Sequence, residues 1–266
     1  MGLSATIDKR TTYKDEVGNE YTKIDMLNSI APIAATYTVK QGQQDRTSRE
    51  LTITIIEHDL DTRKKCIPVE YKDKSTGVNK IFFQTEYEYY QYCHSRYIQS
   101  FYSPTKSEFL TTFWRNKRNN ILYSLPSKTR AVIELLSKHE LNRNIVFGNA
   151  ISQLLEICPT VSSKNSPAVN AKLITDFNEG RLNTIGSFKM LKQGANLNNL
   201  DNVIMHSYYS VDKDFIQRIG RLRNKETEGN VIIFMTRGTQ EENWLEKIMT
   251  ATDLKFNRCR LENFKL

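Results

Sequence analysis

A chain of 266 residues is long enough for one large domain or two small ones, with a sizeable core. With 39% hydrophobic and 26% charged residues it reads as a folded, water-compatible chain, and it lacks the run of about 18 apolar residues that a membrane-crossing helix needs. The net charge of +8 suits a polyanionic partner, and the four cysteines (Cys66, Cys93, Cys158, Cys259) have no paired spacing, which argues against a zinc site or disulfide framework and for a reducing compartment.

The N-terminal "MGLSATIDKR" has no apolar segment of signal-peptide type. Met1-Gly2 followed by Thr6 has the outline of an N-myristoylation pattern, but the motifs further along give these residues another meaning. "LTITIIEHDL" predicts a strand, and "KCIPVEYKDKSTGVNKIFFQ" a β-hairpin turning at "KSTGVN". "TEYEYYQYCHSRYIQSFY" and "SEFLTTFWRNKRNNILYSL" predict two helices, and "SKTRAVIELLSKH" a third. Between Phe113 and Arg130 lie five basic residues and no acidic one. One reading makes Arg115, Lys117 and Arg118 contacts for nucleic-acid phosphates, with aromatics nearby for stacking. The other makes this an amphipathic helix whose Phe, Trp and Leu are core and whose cations are a solvated face.

From Arg143 onward short apolar runs alternate with helical spacing. "NIVFGN" reads as a buried strand and "AISQLLEI" as a helix. "NSPAVNAKLITDFNEG" is a punctuated helix, with Ser166 as N-cap, Pro167 at the first helical position and Gly180 where a left-handed C-terminal residue belongs. "LNTIGSF", "NVIMH" and "NVIIFM" predict further strands, and "SVDKDFIQRIG" and "TQEENWLEKIM" amphipathic helices. Such βαβ alternation implies an α/β fold with a parallel sheet covered on both faces and ligands at the carboxyl ends of its strands.

"DFIQRIGRLRN" crowds Gln217, Arg218, Gly220, Arg221 and Arg223 into one turn before the last core strand. Guanidinium groups are always charged and offer a planar fork of donors, so such a turn can address a phosphate held by a neighbouring domain. The glycine lets the backbone come close.

"QRIGRLR" resembles motif VI of the superfamily 2 helicases, Q/H-x-x-G-R-x-x-R. "SFKMLKQGANLNNLDNVIM" is similar to motif V, "NIVFGN" to the motif IV strand, and "ITDFNEGRLNTIGSF" to the stretch before motif V. "GLSATI", residues 2–7, resembles motif III, the S/T-A-T tripeptide that ends the first RecA-like domain in that family. In style the chain is similar to bacteriophage DEAD/DEAH-type DNA helicases. No G-x-x-x-x-G-K-[ST] phosphate loop and no DEAD- or DEAH-like box occurs in the sequence.

The resemblance implies a RecA-like helicase C-terminal domain with an inserted hairpin and helices. Residues 1–50 would be the tail of a first RecA-like domain and a linker, 51–250 the second domain with an insertion at about 61–125, and 251–266 a C-terminal tail. Arg221 would be the arginine finger acting with Gln217 on the ATP γ-phosphate, Arg223 a candidate second finger, and Gly194, Asn196 and Gly220 would approach the nucleotide. Ser187 and Lys189 would contact a strand phosphate, and Ser4 and Thr6 would couple the ATP site to strand movement. ATP and Mg2+ would be bound mainly by the first domain, in cis or in trans, and the chain would not hydrolyse ATP alone. The expected partners are single-stranded or duplex DNA, with no membrane and no metal site of the chain's own, in the cytoplasm (a host's, if viral). Two departures stand out: the family's Gly-x-Asp is Gly194-Ala195-Asn196, and the second finger position holds Asn224, with Arg223 one residue early. They keep open an alternative class, a non-catalytic nucleic-acid-binding or regulatory module, and a weaker one, a virion or scaffold protein.

Overall fold

The computed structural model describes residues 12–14, 20–22, 25, 50–105, 107–139, 141, 143–188, 197–208, 212–222, 228–252 and 254–265. The chain divides into two compact units, Met1–Ser48 and Arg49–Leu266. In the first, strands β1 (Thr12–Lys14) and β2 (Glu20–Thr22) pair antiparallel, with the Tyr13 and Tyr21 rings stacked at 5.8 Å.

The second unit is α/β. Its strands in chain order are β3 (Leu51–His58), the hairpin pair β4 (Ile67–Lys72) and β5 (Asn79–Gln84), β6 (Asn144–Gly148), β7 (Thr160–Val161), β8 (Thr184–Phe188), β9 (Asn202–Met205), β10 (Gly229–Thr236) and β11 (Asn257–Arg260). The helices are α1 (Glu86–Tyr102), α2 (Glu108–Tyr123), α3 (Pro126–Lys138), α4 (Ile151–Ile157), α5 (Pro167–Asn178), α6 (Asp212–Ile219) and α7 (Gln240–Thr252). Seven strands form one sheet in the order β11-β3-β10-β9-β6-β8-β7, every pair parallel.

The period-2 alternation of side chains sorts the central strands into two cores. Ile53, Ile55, Ile145, Phe147, Val203, Met205, Val231 and Ile233 pack with Phe177 of α5, Phe215 and Ile219 of α6, and Trp244, Leu245 and Ile248 of α7. The intervening Ile56, Val146, Ile204, Ile232 and Phe234 pack with Ala131, Val132 and Leu135 of α3 and Leu154 of α4. Apolar runs with no polar alternation are therefore what these strands require.

Register is set at the amino ends of the central strands. Asn144, Asn202 and Asn230 stand side by side. The Asn230 amide donates to Asn202 Oδ1 at 2.9 Å, Asn202 to Asn144 Oδ1 at 2.8 Å, and Asn144 to the Leu141 carbonyl at 2.7 Å and Thr184 Oγ1 at 2.9 Å. At the β7–β8 seam a Cβ on Gly186 would lie 2.2 Å from Thr160 Oγ1, so only glycine lets the two strands pair.

The inserted helices are anchored by buried charge. Glu86, fully buried at the start of α1, accepts from the backbone N–H groups of Ser127 (2.8 Å) and Asp61 (2.9 Å) and from the Ser127 hydroxyl. Leu125 gives α3 no side-chain cap, so a carboxylate from another helix supplies one. Lys128, in the first turn of α3, reaches both Glu241 oxygens at 2.7 Å, and Glu241 Oε2 also accepts from the Thr236 N–H at 2.8 Å.

The expected tail, 251–266, is corrected by the structure. Asn257–Arg260 is the edge strand β11, parallel to β3, and Phe264 packs in the second core. Among the described residues no helix is long and apolar enough to cross a membrane.

Two histidines, the half-buried His58 and the buried His206, tie stability to pH. Burial, and then the Lys128 charge, hold His58 down at about 4 from its ordinary 6.5, while Ser127 Oγ lies 2.8 Å from its Nε2. His206 is driven well below its usual range, first by burial and then by Lys128 and His58. An unfolded chain therefore binds protons that the folded one refuses between about pH 6.5 and 4, so stability falls across that window as pH falls. We expect His58 to account for a loss on the order of 3 kcal/mol there, at about 1.4 kcal/mol per pKa unit. Urea midpoints at pH 7.5 and 4.5 should differ less in His58→Gln than in the parent, and an equal difference would show that His58 is not the source.

Candidate functional site at the carboxyl edge of the sheet

The turn singled out in the sequence continues α6. Phe215, Ile219 and Leu222 recur at i, i+4 and i+7 and are buried in the first core, which fixes the helix phase. Gln217 and Arg221 fall on the opposite side, about one turn apart and partly exposed. The helical path persists past Ile219: the Gly220 N–H donates to the Ile216 carbonyl at 2.9 Å, Arg221 to Arg218 at 3.2 Å and Leu222 to Ile219 at 3.0 Å. A Cβ on Gly220 would sit 3.0 Å from the Ile216 carbonyl oxygen, so the glycine keeps this tightening turn free of strain.

Arg218 has a different job from its neighbours. It is buried, donates to the Ser207 carbonyl at 2.9 Å, and lies 5.2 Å from the Phe147 ring centroid. Phe147 is the penultimate residue of β6 and Ser207 follows β9, so Arg218 pins the end of α6 to the carboxyl edge of the sheet. The Ser207 hydroxyl accepts from the Asn149 N–H at 2.7 Å and joins the β6 exit loop to the same corner. Beneath it, Thr129 Oγ1 donates to Gln153 at 2.7 Å and lies 3.1 Å from His206 Nε2. Arg218 stood in the quoted motif, but its positioning role became visible only when the strands it bridges were in place.

The other expected site residues divide three ways. Lys189, Gly194, Asn196, Arg223, Ser4 and Thr6 lie outside the described residues. Ser187, next to the end of β8, has 0% exposure and stands between Phe147 and Val161 in the sheet, so its hydroxyl is not presented to a strand phosphate in this arrangement. Arg115 and Lys117 are exposed on α2, but Arg118 is 4% exposed, with its guanidinium 4.5 Å from the Tyr97 ring centroid and bonded to Asn119. The expectation of a phosphate contact at Arg118 is therefore corrected: it points inward because it shares a helix face with Ile121 and Leu122.

No cluster of three or more His, Cys, Asp or Glu among the described residues could hold a metal ion. Burial pushes the Cys93 thiol up to about 11 and Cys158 up to about 12, which makes both inert.

Residues 127–225 match the family model for the helicase conserved C-terminal domain. This part of the chain is similar to a helicase C-terminal domain. The match spans the start of α3 to the turn after α6, the stretch that builds the corner just described. Over 142 residues the chain is 24% identical to "ATP-dependent RNA helicase DBP6" of Yarrowia lipolytica, covering 47% of this chain and 23% of that protein. Over 128 residues it is 25% identical to "DNA 3'-5' translocase XPB2" of Sulfurisphaera tokodaii, covering 46% of this chain and 29% of that protein. The chain thus aligns with less than a third of either relative's length. Among solved structures, "S. cerevisiae Dbp5 bound to RNA and ADP BeF3" is similar with a TM-score of 0.47 and 18% identity, covering 52% of this chain and 39% of that one.

Proposed function

We propose that the chain supplies the second RecA-like half of an ATP-driven nucleic-acid translocase or helicase. What carries this reading is the partly exposed Gln217 and Arg221 on a turn locked in place by Arg218, inside the segment that matches the helicase C-terminal model. ATP is substrate, and it would be held with its Mg2+ by a first RecA-like domain, because this sequence offers neither a phosphate loop nor, among the described residues, a carboxylate cluster for a cation. Arg221 would then close on the γ-phosphate as arginine finger with Gln217 beside it, and Gly194, Asn196 and Gly220 would face the nucleotide. Arg223 is the candidate second finger, Lys189 a strand contact, and Ser4 and Thr6 would relay closure. One curated relative is named for RNA and the other for DNA. Our reading is DNA, on the resemblance to phage-type DNA helicases.

The test combines the purified chain with an ATP-binding RecA-like domain and measures ATP turnover with single-stranded DNA, with RNA and with neither. We expect no turnover above background from the chain alone and strand-stimulated turnover from the pair, greater with DNA. Turnover by the chain alone that vanishes in Arg221→Ala would sink the division of labour. A second reading, a non-catalytic strand-binding module, is favoured by Asn196 standing where the family has aspartate. It predicts strand binding with no turnover in any combination.

A further inference from the structure

The α1–α2 pair carries a surface that the helicase motifs leave unexplained. Tyr92 and Phe113 are 44% and 40% exposed and Phe109 is 77% exposed, although large aromatics normally seek cover. They are not scattered. Phe109 and Phe113 are near-parallel, 21° apart at 6.4 Å; Phe113 meets Trp114 edge-on at 5.1 Å; and Trp114 meets Tyr92 of the other helix edge-on at 5.6 Å. One aromatic row therefore crosses both helices.

Cations flank this row. The Arg96 guanidinium lies 5.8 Å from the Tyr92 ring centroid and 5.6 Å from that of Trp114, and the Lys117 ammonium 5.1 Å from Phe113 and 5.8 Å from Trp114. Among the described residues neither has an ion-pair partner, and from Tyr89 to Ile133 the sequence holds a single acidic residue, Glu108. Exposed rings alone would suit many apolar partners. Rings interleaved with uncompensated positive charge fit a ligand that carries flat π-faces and a regular negative backbone together.

We propose that this face, centred on Phe109, Phe113, Trp114 and Tyr92 with Arg96 and Lys117, is a stacking platform for single-stranded nucleic acid, separate from the motif VI corner. It rests on the strand-binding part of the function proposed above. Bases stack on the rings, phosphates lie along the two cations, and sequence preference is weak because every base has a π-face. The inserted helices thereby add a second grip on the strand.

Trp114 makes the test direct, because the only other tryptophan, Trp244, is buried in the core and can be replaced by phenylalanine. The Trp244→Phe full chain is titrated with oligo-dT, with oligo-U and with heparin, a polyanion without bases. We expect both oligonucleotides to quench Trp114 and heparin to leave it unquenched. Phe113→Ala should weaken oligonucleotide affinity about five- to a hundredfold, as loss of one stacked base does. Phe109→Ala, at a side chain that is 77% exposed, should act in the same direction. Arg96→Gln with Lys117→Gln should reduce the log–log salt slope by about 1.4, at about 0.7 per phosphate. Oligonucleotide binding that leaves Trp114 unchanged and is indifferent to Phe113→Ala and Phe109→Ala would overturn the platform while leaving the helicase reading intact. Quenching by heparin equal to that by oligo-dT would overturn it too. Strand-stimulated turnover is read separately, so failure of the helicase reading is distinguishable from either outcome.

Discussion

Arg221→Ala should cut strand-stimulated ATP turnover on the order of a thousandfold or more once an ATP-binding RecA-like domain is supplied, while strand binding and folding hold. That factor is what an arginine finger contributes to phosphoryl transfer, about 4 kcal/mol of barrier. The side chain lies on the solvent side of the α6 turn, opposite Phe215, Ile219 and Leu222, so truncating it disturbs no core packing. Arg221→Lys should recover only part of the rate, because a compact ammonium does not reproduce the planar fork of donors. Arg218→Lys is the informative contrast. Loss of the bond to the Ser207 carbonyl should loosen the turn and lower the rate together with thermal stability, whereas Arg221→Ala should lower the rate alone. Single-turnover hydrolysis and a melting curve on the same three variants separate the two roles. An unchanged rate in Arg221→Ala would remove the motif assignment.

The second large effect concerns stability. Lys128 and Glu241 form a salt bridge in which both side chains are fully buried. Breaking a buried pair from one side leaves a charge without compensation and costs about 3–5 kcal/mol, a large share of the roughly 5–15 kcal/mol typical of a whole domain. Lys128→Met and Glu241→Gln should each lower the unfolding free energy, read from urea titration, by that measure. The double variant Lys128→Met/Glu241→Leu should recover much of the loss, since an apolar pair leaves no buried charge. Single variants within about 0.5 kcal/mol of the parent would show that the pair is not a staple. The bridge joins the first turn of α3 to the first turn of α7, so it holds elements from opposite faces of the sheet.

Much of this fold was legible because its strands are short apolar runs and its helices carry explicit stops. Ser166, Pro167 and Gly180 punctuate α5 as the sequence suggested, with Ser166 accepting from the Val169 N–H and Gly180 at a φ of 79°. Two strands of the seven-stranded sheet were not legible. β7 is two residues long, too short for any periodicity, and β11 reads "NRCR", whose strand character comes wholly from pairing with β3. At the site, the Gln217–Arg221 turn was plain, but the division of the cations was not. Helix phase would have separated Arg118 from Arg115 and Lys117, since 118, 121 and 122 share a face; charge alone weighed the three equally. The Lys128–Glu241 pair spans 113 positions, and its one local trace is a lysine in the first turn of a helix, against the macrodipole.

The three strand-leading asparagines have an evolutionary corollary. Their amides form a one-way file in which the middle member, Asn202, takes from Asn230 and gives to Asn144, so an apolar side chain at 202 would remove the partner of an amide donor on one side and of an acceptor on the other. Mutation reaches them one codon at a time, so a change at Asn202 calls for matching changes on either side. Such positions should drift as a single inherited unit, or scarcely at all.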